Sequence, residues 1–241
     1  MTRTLRAGAL TAAAISLMLA LAGCAGPTPL PTPTPDAATP RPTATAAPTA
    51  DPVDPLTAVT ELLARPESLE LRDAAGVVVA DLDYRSAPSD AVDALTTVFG
   101  LAPVDQMVDG GNHFPPRTLH QWDGFELWEQ RYVDRWEGVV TELSLERPAF
   151  AVRFTAATAR EVSLSTMGSP HVGGGWDELV ALPDLQQDSS GCSGPYLEYV
   201  AVSREAVGAP GTMKISVEFR PSEDSSTIES IAAPVPVSGC D

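Results

Sequence analysis

The side chains able to do covalent or metal chemistry are few and widely spaced. Penicillin-binding and β-lactamase chemistry needs Ser-x-x-Lys, but Lys214, the single lysine, has Gly211 three residues before it, which excludes that class. No Gly-x-Ser-x-Gly elbow is present, and His113, His120 and His171 all precede Cys192, the reverse of the order used by wall-hydrolase cysteine peptidases. The same histidines lack His-Glu-x-x-His spacing, so no metal site is expected. Asp81-Leu82-Asp83 opens like a calcium loop and then fails. Arg85 and Ser86 stand where an acid or Asn and a Gly belong, and Val92 replaces the closing Glu. Gly173-Gly174-Gly175 lacks the lysine and spacing of a phosphate loop and reads as a turn. No cofactor is implied.

Residues 110–138 are richer, holding His113, Phe114, Trp122, Phe125, Trp128, Tyr132 and Trp136 among Asp and Glu. Read as one strand over 122–129, alternation puts Phe125 and Leu127 on one face and Trp122, Glu126 and Trp128 on the other. Exposed indoles beside carboxylates would suit a glycan or protein ligand, so Trp122, Trp128, Tyr132 and Trp136 form the candidate binding surface. A buried strand packed on both faces is the competing reading.

The cysteines locate the chain. Arg3 and Arg6 precede an apolar run over 7–20, too short for a span of about 20 helical residues. That run ends in Leu21-Ala22-Gly23-Cys24, which resembles the lipobox of bacterial lipoproteins. The resemblance implies removal of residues 1–23, a diacylglycerol thioether on Cys24, further acylation of its amino group, and attachment to the cell membrane facing the extracytoplasmic side. Two or three acyl chains hold where one does not, at about 0.8 kcal/mol per buried CH₂. One lysine against fourteen arginines, with abundant alanine, resembles a high-GC, actinobacterial composition.

Residues 25–54 are mostly Pro, Thr and Ala with hardly a large apolar residue, a composition that cannot offset its ordering entropy by burial. At about 3.1 Å per residue in polyproline conformation, such a tether reaches on the order of 90 Å. Its threonines suit either O-glycosylation or a plain spacer. Outside a membrane, Cys192 and Cys240 read as a disulfide, closing a loop of about 48 residues worth roughly 4 kcal/mol in the chain-entropy model. Losing Arg3 and Arg6 leaves 13 basic against 32 acidic residues, a net charge of -19 that repels nucleic acid. The acidic balance fits a cationic partner or, more simply, a solvated surface.

Downstream, Asp54-Pro55 predicts a short helix with Leu56, Val59, Leu62 and Leu63 on one face, ending near Pro66. A hairpin follows around Asp73-Ala74-Ala75-Gly76, then a helix opened by Pro88, lined by Ala91, Val92, Leu95, Val98 and Phe99, and capped by Gly100. Strands are predicted over 122–129, 139–146, 150–154, 161–165, 196–202, 213–219 and 227–232, with a short helix over 176–182. The order predicts an α+β fold, mainly antiparallel sheet with a few short helices, in two similar halves over 55–147 and 148–241. It loosely resembles the duplicated helix-on-sheet modules of secreted bacterial inhibitors and envelope lipoproteins. The sequence therefore suggests a tethered, noncatalytic binding module, with a scattered-residue enzyme or an envelope structural protein as alternatives. Cys192 and Cys240 are expected to resist alkylation in the denatured, unreduced exported protein; recovery of two alkylated thiols would refute the bridge.

Overall fold

A computed structural model describes residues 53–111, 114–132, 145–188, 193–203 and 211–237. The signal, Cys24, all but the last two residues of the tether, the expected Cys192–Cys240 bridge, His113, Trp136 and most of the strand expected over 139–146 lie outside the described residues. Among the described residues the fold is mostly antiparallel sheet with two α-helices, consistent with the α+β class that the sequence predicts.

A 3₁₀ turn over Pro55–Ala58 begins the described part, with Leu56 N donating to the Asp54 carboxylate at 2.9 Å. The helix expected to continue from it does not form. Val59–Ala64 is instead strand β1, and the reason is its place in the sheet. It lies between β2 (Ser68–Asp73) and β9 (Val162–Thr166), antiparallel to the first and parallel to the second. Val59, Leu62, Leu63 and Ala64 are all buried, so both faces are apolar. An apolar run with both faces covered has no period of two, and here it falls on i, i+3 and i+4 by coincidence.

The hairpin from β2 to β3 (Val78–Asp83) forms as expected. The Asp73 carboxylate accepts from Ala75 N and Val77 N, and Gly76 takes φ +76°. Helix α1 (Pro88–Phe99) also matches, ending at left-handed Gly100 and burying Ala91, Leu95 and Phe99. With β8 (Thr158–Ala159), these strands make a five-stranded sheet in the order β3-β2-β1-β9-β8.

The second sheet has seven strands, ordered β10-β11-β12-β7-β6-β5-β4. They are β4 (Val104–Val108), β5 (Arg117–Trp122), β6 (Phe125–Gln130), β7 (Phe150–Phe154), β10 (Tyr196–Ser203), β11 (Thr212–Pro221) and β12 (Ile228–Val237). Helix α2 (Trp176–Val180) lies between β9 and β10 in sequence. Strands from before and after residue 147 share both sheets, since β9 joins β1 and β7 joins β6. The sheets also meet at Tyr84, whose carbonyl accepts from Ala149 N at 2.8 Å and Phe150 N at 3.2 Å.

The single strand expected over 122–129 is two strands. Asp123-Gly124 makes a two-residue turn with Trp122 opposite Phe125 and Gly124 at φ +79°, a left-handed conformation that glycine adopts without steric cost. A Cβ on Gly124 would lie 2.5 Å from the Thr158 carbonyl oxygen, whereas one on Gly76 would meet nothing within 4 Å. Gly76→Ala should therefore cost only the left-handed penalty of about 1–2 kcal/mol. We expect Gly124→Ala to lose more in urea unfolding; equal losses would show that the β5–β6 turn yields freely.

Candidate functional site

The seven-stranded sheet turns Phe125, Leu127, Val152, Phe154, Val217 and Phe219 into the core. Its other face follows from register. Trp128 stands opposite Leu119 and Ala151, Arg153 opposite Glu126 and Ala232, and Arg220 opposite Ser230. Antiparallel partners point to the same side, so these side chains share the outer face.

That face is split. Strand β12 pairs with β7 only at Ile231, Ala232 and Ala233, yet it stays paired with β11 as far as Val237. Pro234 and Pro236 carry no N–H to offer β7, so the two strands part beyond the Ala233–Val152 pair. A groove of about 350 Å³ occupies the fork. Ala151 and Ala232 leave it open, Trp128 and Arg117 stand on the β6–β5 side, and Arg153, Arg220 and Ser230 also line it.

Arg117 lies against two rings, its guanidinium carbon 4.4 Å from the Phe114 centroid and 4.8 Å from that of Trp128. Its Nε is buried without a hydrogen-bond partner, and burial lowers the pKa of the group, an effect opposed by Tyr132. The Trp128 indole donates to Glu126 Oε2 at 3.0 Å. Arg153 Nη2 donates to Ser230 Oγ at 3.2 Å. Arg220 is paired at 2.6 Å with Glu218, whose side chain is only 3% exposed.

No known protein family, curated protein or solved structure compared with the chain matches it.

The candidate aromatic residues do not converge. Trp122 is 5% exposed, packs against Phe99 and Phe125 at 5.4 and 5.8 Å, and donates its indole N–H to Leu101 O at 3.0 Å. It is a core residue, not part of an exposed face. The turn at 123–124 is the cause, because it sets Trp122 directly across from Phe125 and so on the same side. In an uninterrupted strand those two residues would point oppositely. Tyr132 is half-buried; its hydroxyl donates to Pro148 O at 3.0 Å and burial pushes its pKa up to about 12. Trp128 alone of the described candidates lines the groove. The arginines beside it were not legible, since β5, β7 and β11 are far apart in sequence and only register unites them.

A second polar cluster crosses β4, β5 and β6. His120, 8% exposed, has Nδ1 2.7 Å from Asp105 Oδ1 and Nε2 3.2 Å from Glu129 Oε2. With a carboxylate within hydrogen-bond distance of each ring nitrogen, the side chain ties the edge strand β4 to the sheet. Among the described residues no group of His, Cys, Asp and Glu is arranged to hold a metal ion. Asp83 and Asp224 are held below the ordinary carboxylate range, Asp83 chiefly by its bond from Arg85 and Asp224, at about 2, by the Ser222 and Ser226 hydroxyls. The glycine turn at 173–175 borders a smaller hollow of about 180 Å³ with His171 and Glu178. There the His171 ring faces Ser169 O at 3.2 Å.

Burial separates the two tryptophans experimentally. We expect Trp122→Ala to cost about 3–5 kcal/mol and lower the melting temperature by several degrees. Trp128→Ala, truncating a half-buried ring, should cost clearly less in the same thermal melts; equal losses would make Trp128 a structural residue.

Proposed function

We propose that this chain is a lipid-anchored, extracytoplasmic binding module that recognises its ligand without transforming it. The anchor is Cys24, the spacer is residues 25–54, and the ligand site is the groove beside Trp128. The groove carries the reading. It presents aromatic surface, guanidinium charge and an open floor, the features of recognition, while its hydroxyl at Ser230 accepts a bond from Arg153 and has no histidine or carboxylate among the lining residues to activate it. The lipobox match and the Pro/Thr tether support surface display.

The observation that would favour an enzyme instead is the Asp105–His120–Glu129 cluster, and its closed hydrogen bonding argues for a structural role. A purely structural envelope protein would leave the groove without a purpose. The anchor is tested by Cys24→Ala, which should abolish both lipid labelling and membrane retention. Undiminished sedimentation of this variant with salt-washed membranes would contradict the proposal.

A further inference from the structure

We infer that the groove at the β7–β12 fork binds a small organic anion, with its carboxylate held by Arg117 and Arg153 and its body lying over Ala151 and Ala232. This rests on the binding-module reading and names the chemistry of its ligand.

The full chain carries -17, yet the lining of this groove includes three arginines and no acid. Arg220 is matched by Glu218. Among the described residues Arg117 and Arg153 have no carboxylate at ion-pair distance. The acid opposite Arg153 in register, Glu126, gives one oxygen to the Trp128 indole at 3.0 Å and the other to Gln121 at 3.5 Å. Two guanidinium groups without acids, facing one hollow of an acidic protein, are complementary to an anion from outside.

Both arginines are also held in place. Arg117 lies against Phe114 and Trp128, and Arg153 is bonded to Ser230, so both forks are oriented before a ligand arrives. An oriented guanidinium loses less freedom on binding a carboxylate than a free one does. The groove, about 350 Å³, falls at the lower end of the range for small-ligand clefts, roughly 300–1,000 Å³. Its floor is alanine methyl groups, with the Trp128 ring as a wall, so it suits a carboxylate borne on a compact body more than a bare inorganic ion. An acidic sugar and a short aliphatic dicarboxylate share that chemistry.

Calorimetric titration of the full chain in detergent with glucuronate, succinate, glucose and inorganic phosphate tests the inference. Glucuronate or succinate should bind, and glucose and phosphate should bind at least about tenfold more weakly, a difference of about 1.4 kcal/mol. A preference for glucuronate assigns the sugar acid and a preference for succinate the dicarboxylate; either supports the site. Arg153→Gln and Arg117→Met should each weaken binding by about tenfold or more. Arg160→Gln, on the β8–β9 turn and not among the residues that line the groove, should leave it unchanged. Because Arg117 is packed between rings, Arg153→Gln decides the matter if Arg117→Met melts early. The inference is overturned if neither carboxylate binds, if phosphate binds as tightly, or if the two variants retain full affinity. Binding of a neutral glycan or a protein lost in Trp128→Ala, with no carboxylate bound, would overturn the anion while sparing the module. Conversion of the bound probe to product would support the site and overturn the noncatalytic reading.

Discussion

Three residue pairs hold the large sheet together. Ile231–Phe154, Ala232–Arg153 and Ala233–Val152 splice the β4–β7 meander to the β10–β12 meander. Phe154 and Ile231, on the inner side of that splice, are almost fully buried, and Phe154 packs at 5.8 Å on Phe125. Phe125 in turn contacts Phe99 of α1 at 5.6 Å. Burying side chains of this size contributes about 1.5–3 kcal/mol each, which places the strength of the junction in its core face and not in the length of its ladder. A short splice suffices for that reason. Its brevity leaves the outer face forked.

The fork explains how an acidic protein comes to display unpaired arginines. Small residues at Ala151 and Ala232 leave the space, and the register brings arginines to its margins from three separated strands. Ring contacts to a cation contribute about 0.5–1 kcal/mol each at exposed sites, enough to orient Arg117 though less than a carboxylate partner would give. Glu218 shows the contrast, since that buried carboxylate is matched by Arg220 within the same face.

Much of this architecture was legible in the sequence, and the failures have specific causes. Helix α1 was clear because Pro88, a four-residue apolar spacing and Gly100 agree. Strand β11 was clear because Met213, Ile215, Val217 and Phe219 alternate. Strand β1 was misread because a strand covered on both faces loses its alternation. The β5–β6 hairpin was missed although Asp123-Gly124 is a strong turn signal, and that one omission reversed the orientation assigned to Trp122. Trp128, singled out by its aromatic and acidic neighbours, lines the groove. Its arginine neighbours depend on strand pairing across dozens of residues, which local periodicity cannot reveal.

We place the ligand of this protein in the fork between β7 and β12. Amide chemical-shift mapping of the isotope-labelled full chain during a glucuronate titration tests it most directly. The largest shifts should fall on Ala151, Arg153 and Ala232, with smaller ones reaching Arg117 and Trp128. Shifts centred on His120 or on the 173–175 turn, or a spectrum unmoved at saturating glucuronate and succinate alike, would contradict it.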